Sequence, residues 1–276
     1  MVDRAAIVIP EPIKISRARA ALDDVAQGLS LRWMWGRLAI HDIRQRYRGS
    51  MLGPFWITIS MGVMILALGI LYSKLFRVEI AVYLPSLCLG LLVWNYISTT
   101  VTDAGTVFVL GESTIKQTRT PMSVFIFRAI MRNMLVFAHN ALIFVIVMIY
   151  FGRAPSWSFF LAIPAFAMVT LWLTCVTVVL SILCVRFRDI AQIITSLMQL
   201  VFFMTPIIWT LEQLGERIWA AEINPFFAFI DIMRAPLMGL PTHWSSWPMA
   251  TFATVGTGLF AALLFVRFRA RIAYWV

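Results

Sequence analysis

Arg44, Arg46 and Arg48 stand at every second position just ahead of Gly49 and Gly53. Guanidinium groups carry planar forks of donors that match phosphate oxygens. Glycine lets backbone amides adopt angles and approaches that other residues resist. The chemistry such a set could do is phosphate binding, although the same arginines could serve only as positive anchors at a membrane border. Pro54 then fits the first turn of a helix. Phe55 and Trp56 suit the headgroup layer, being apolar rings with polar-tolerant edges. The segment reads as a charged hinge at the depth of lipid phosphates.

Other chemistry is sparse. No GxxxxGK[ST] loop occurs, so the chain does not bind ATP by that route. No HExxH, GxSxG or paired-carboxylate arrangement stands out. Cys88, Cys175 and Cys184 fall in or beside apolar runs without metal or disulfide spacing and read as buried small side chains. His41 and Asp42, beside the arginines, are the acid–base pair that a membrane-embedded glycosyl- or acyltransferase would need. Asp103 is an acid within an apolar run, and either pairs helices or lies on a transport path. His139 is a lone mid-span histidine, suited to hydrogen bonding rather than to a metal.

The elements that hold these residues follow from composition. Of the 276 residues, 61% are hydrophobic and 13% charged, with mean hydropathy +0.85. Soluble domains are about half apolar and a quarter charged. The fold expected is an all-α polytopic membrane protein. Residues 1–28 read as a tail, without the apolar core of a cleavable signal peptide. Residues 29–48 read as an amphipathic interface helix, with Arg37, Arg44 and Arg48 on one face and Trp33, Ile40, Ile43 and Tyr47 on the neighbouring arc; a helix packed on protein would show the same pattern. Six spans are expected over residues 55–76, 84–110, 124–151, 157–185, 190–209 and 247–268, since about 20 apolar residues cross the hydrocarbon. Arg128 and Arg132, four apart, share a face near the start of the third. Pro206 should loosen or kink the fifth. Residues 212–244 are too polar for a span and too apolar for a free loop, which suits two short half-inserted helices. Gly111 to Ser123 reads as a docking helix or a plain loop.

Six spans put both termini on one side. If that side is the cytoplasm, it holds 18 of the 23 Lys and Arg residues and the other side 5. The formal charge of +10 is then an orientation signal under the positive-inside rule, and a nucleic-acid partner is not expected.

Arg46-Tyr47-Arg48-Gly49-Ser50-Met51-Leu52-Gly53-Pro54-Phe55-Trp56 resembles the permease subunits of ABC exporters for lipid-linked polysaccharides, O-antigen type. Capsule and teichoic acid permeases are more distant relatives. The resemblance runs from about Leu29 to the C-terminus. It implies a bacterial inner-membrane protein, a second copy of itself, and two separate ATP-binding subunits that carry the ATP; no cofactor is expected on this chain. It implies that Arg46, Arg48, Gly49 and Gly53 meet an undecaprenyl-linked pyrophosphate. Tyr72, Phe76, Phe202, Phe203 and Trp209 would line a polysaccharide channel, unless they are lipid-facing belts. Trp219, Phe226 and Phe227 would belong to an external gate. Arg37, Arg44, Lys116 and Arg119 would dock the ATPase.

Overall fold

The computed structural model describes residues 16–46, 48–50, 53, 55–153, 156–209, 211 and 219–276. The expected tail before residue 16, Tyr47, Pro54 and the 212–218 part of the expected gate region lie outside them. Among the described residues, regular structure is helical throughout.

Among the described residues five helices are long and apolar enough to cross a membrane: α3 (Phe55–Phe76), α4 (Ile80–Ala104), α7 (Met122–Tyr150), a 3₁₀ turn continued by α8 (Ala162–Arg186), and α12 (Ser246–Trp275). The expected span over 190–209 appears as α9 (Asp189–Met204), 16 residues long. Pro206 ends this helix rather than kinking it. The residue before a proline is pushed out of the α region, and Thr205 is extended at φ −101°, ψ 135°.

α4 is the hub. Within its most apolar stretch 72% of residues are buried, against 17% for α3. The span was expected to start at residue 84. The helix instead begins at Ile80 and carries Pro85 inside. Proline cannot donate to the carbonyl four residues back. That acceptor is Ala81 O, and Arg153 Nη2 donates to it at 2.8 Å. A cation from the loop after α7 thus satisfies the carbonyl that the proline leaves vacant. At the other end α4 stops at Ala104, and two short helices follow, α5 (Val107–Leu110) and α6 (Glu112–Gln117).

The stretch 17–28, expected as tail, is helical. α1 spans Arg17–Ser30, with Ser16 capping it through Arg19 N; α2 spans Arg32–Arg46. The reason lies in Asp24, which is 4% exposed. Its carboxylate accepts from Met122 N (3.1 Å) and Ser123 N (3.0 Å), the unpaired donors at the start of α7. Arg269 Nη1 of α12 donates to it at 2.8 Å. Ser123 Oγ returns a bond to Asp24 O. A Cβ on Gly28 would sit 2.1 Å from Ser123 Oγ, so only glycine permits this approach of α1 to α7. α10 (Trp219–Glu222) and α11 (Pro225–Leu237) precede α12.

Asp24 therefore caps one helix and pairs with another. Asp24→Ala should cost about 2 kcal/mol or more, the combined scale of a lost cap and a lost charge-assisted bond. Arg269→Ala should cost less, because the backbone donors keep their acceptor. Thermal unfolding in detergent, comparing the two variants, checks the order.

Candidate functional site

Two regions gather candidate side chains: a charged cleft lined by α2, α5 and α7, and a groove between α3, α4 and α9.

At the charged end Asp42 of α2 reaches across to α7. Arg128 grips it with Nε (2.8 Å) and Nη2. Arg132, one turn further on, has Nη1 3.5 Å from Asp42 and Nη2 2.8 Å from Asp103 at the end of α4. Arg132 is 9% exposed. Two guanidinium groups thus bind two carboxylates from two other elements. Such charges are stable at low exposure only when paired and hydrogen-bonded. Asp103 pairs helices. Asp42 is engaged by both arginines and is not free to act as a general base beside His41. His139 bonds within its own helix, Nδ1 to Leu135 O at 2.8 Å.

This network forms one wall of a cleft of about 440 Å³. Arg46 and Gln45 of α2 line it with Arg128 and Arg132. Arg48, Gly49 and Gly53 follow, with both glycines in the left-handed region at φ +89° and +54°. Arg46 and Arg48 are exposed. Of the residues expected to meet a pyrophosphate, Arg46 lines the cleft, and the structure does not place Arg48 in it.

The groove has a volume of about 500 Å³. Asn95, Ser98 and Thr102 line it from α4, Thr195 and Gln199 from α9, and Trp94, Phe202 and Phe203 add rings. Phe202 packs on Trp94 with centroids 5.6 Å apart and on Phe203 at 5.3 Å. Tyr72 and Phe76 pack as a tilted pair, centroids 5.4 Å apart, beyond the groove, where Phe76 meets Tyr83 at 6.1 Å. Tyr83 Oη donates to Ile208 O at 2.7 Å, and Trp209 Nε1 donates to Phe203 O at 3.2 Å. Two of the five expected channel rings therefore line the groove; the other three gather at its far end. The polar stripe of α4 was not anticipated. Its signal was present: Asn95, Ser98 and Thr102 recur at the i, i+3, i+7 spacing of one helical face inside an apolar run.

Beyond the groove, Trp219 is exposed, but Phe226 sits between Trp94 (6.0 Å) and Trp172 (5.6 Å), and Phe227 is fully buried. α11 is therefore packed into the bundle. Asp231 holds the start of α12, accepting from Ser246 Oγ at 2.6 Å and His243 N at 2.8 Å.

Arg37 and Arg44 share one face of α2 with His41. Lys116 pairs with Glu112 at 2.6 Å on α6. That bond, with a further contribution from Arg188, holds the Glu112 carboxyl below its ordinary range, so α6 and the turn before α9 lie within each other's field. Arg119 lines a separate cleft beside Asp24 and Arg269.

A profile of the ABC-2 type transporter membrane family matches residues 35–238. Among curated proteins, an "O-antigen export system permease protein RfbA" of Klebsiella pneumoniae is 27% identical over 191 residues, which is 68% of this chain and 74% of the relative. A protein of the same description from Myxococcus xanthus is 25% identical over 202 residues, 72% of this chain and 77% of the relative.

The Arg132–Asp103 pair should be energetically coupled. A double-mutant cycle with Arg132→Ala and Asp103→Ala, read by unfolding in detergent, should give a coupling of about 1–3 kcal/mol. Simple additivity of the two losses would show that the contact joins α4 to α7 only geometrically.

Proposed function

The chain belongs to the membrane family of ABC-2 type transporters, and from that premise we propose that it is the permease subunit of an ATP-driven exporter for an undecaprenyl-pyrophosphate-linked polysaccharide of O-antigen type. The observation that carries the reading is the groove between α3, α4 and α9, a polar and aromatic path on an otherwise apolar bundle, in a chain whose relatives are O-antigen export permeases. Lipid-facing helices gain nothing from such a stripe, because unpaired polar groups are costly in hydrocarbon.

In this reading α9 completes a sixth crossing together with residues 205–209, and α10 and α11 are a half-inserted pair. Both termini face the cytoplasm of a bacterial inner membrane. The expected units are a tail over 1–28, an interface helix over 29–48 and a six-span domain over 49–276, with α1 packing the tail onto that domain. Two copies of the chain face each other and two ATP-binding subunits drive them. Arg37, Arg44, Lys116 and Arg119 dock those subunits through α2 and the α5–α6 connection. Arg46 and Arg48, with backbone amides near Gly49 and Gly53, receive the pyrophosphate. The glycan then moves past Phe202 and Phe203 toward Tyr72, Phe76 and Trp209, and leaves beneath the segment that carries Trp219, Phe226 and Phe227. Hydrolysis of ATP belongs to the partner, so this subunit has a transport role and no catalytic one. The transferase alternative loses its candidate base, since Asp42 is held by Arg128 and Arg132.

An Arg46→Ala, Arg48→Ala variant, present at normal level in the membrane, should lower glycan export at least about tenfold, the effect of one to two lost charge-assisted bonds. Surface glycan labelling in cells checks this. Unchanged export would leave both arginines as membrane anchors only.

A further inference from the structure

We infer that the groove between α3, α4 and α9 accepts an uncharged, polyhydroxylated chain and discriminates against a polyanionic one. The inference rests on the exporter reading above and adds the chemical class of its cargo.

Among the described residues, no Lys, Arg, Asp or Glu lines the groove. Pores that pass phosphates or other anions carry rings of Arg or Lys, whose field replaces the water stripped from the ion. A second copy facing the groove would bring the same uncharged set by symmetry. Asp103 follows Thr102 directly but is turned into its 2.8 Å bond with Arg132. Its charge is thus neutralised in a pair rather than presented to the groove. A polymer with a phosphate in every repeat would meet no compensating charge along this length, and would also lose hydration.

What the groove offers instead suits sugar hydroxyls. The side chains of Asn95, Ser98 and Gln199 line it and make no hydrogen bond to a described residue, although they lie within apolar helices. Thr102 and Thr195 keep their hydroxyls partly on helix carbonyls. Each amide presents donors and an acceptor, and each hydroxyl presents both, matching a ligand whose groups are both as well. The exposed ring of Phe203 and the partly exposed ring of Phe202, backed by the buried Trp94, supply flat faces against which the C–H side of a sugar ring can pack. Unpartnered amides facing lipid would be costly; facing a hydrated glycan they exchange one set of hydrogen bonds for another.

The test uses the full chain reconstituted in vesicles with its ATP-binding subunit. Two probes of equal length share the undecaprenyl-pyrophosphate anchor: a neutral hexose polymer, and one with a phosphodiester in each repeat. The neutral probe should appear outside at least tenfold faster. Asn95→Leu with Gln199→Leu should lower neutral export at least tenfold while ATP hydrolysis continues, and Gln199→Lys should narrow the gap between probes. Equal export of both probes by the unsubstituted chain overturns the inference alone, and this comparison needs no variant to fold. Export of neither probe by a complex that hydrolyses ATP overturns the exporter reading, and the inference with it.

Discussion

The guanidinium of Arg132 holds three elements together. It lies on α7, bonds Asp103 at the end of α4, and faces Asp42 of α2. Charge in a chain this apolar is expensive unless compensated, so the place where it is compensated fixes the geometry around it. Here the compensation ties α2 and the end of α4 to α7. Asp42, Arg128 and Arg132 form the wall of the cleft that Arg46 lines.

The same constraint recurs elsewhere. Asp24 collects the open donors of α7 and the cation of α12. Arg153 fills the acceptor that Pro85 abandons. Arg234 Nη1 donates to Pro206 O at 3.1 Å, at the break that follows α9. In each case an ionic side chain repairs a helix end or interruption, where backbone groups lack partners. The long helices can then stay largely apolar, with Asn95, Ser98 and Thr102 on one face of α4. α4 bears both consequences: Leu87, Leu92 and Ile97 are buried in the core, while Asn95, Ser98 and Thr102 open onto the groove.

How much of this could be read in the sequence depends on the element. α3 was legible to the residue, because an uninterrupted apolar run lies between charged flanks. α4 was not, because its proline is rescued by an arginine nearly 70 residues away, and no local pattern announces that. α1 escaped notice because its buried positions are Ala21, Asp24 and Gly28, two small residues and an acid, which leave no apolar stripe to recognise. The spacing of Arg46 and Arg48 singles them out, yet the cleft that Arg46 lines also takes Asp42, Arg128 and Arg132, and no local pattern joins α2 to α7 over more than 80 positions. Phe202 and Phe203 drew attention by size, whereas Asn95, Ser98 and Thr102, which line the same groove, were visible only as one face of α4.

The most direct measurement is co-purification in mild detergent with an ATP-binding subunit encoded beside this chain, followed by ATP hydrolysis with and without a lipid-linked glycan. The account predicts a stable complex whose hydrolysis changes when the glycan is added. Absence of a complex, with this chain alone acting on a lipid-linked sugar, would contradict it.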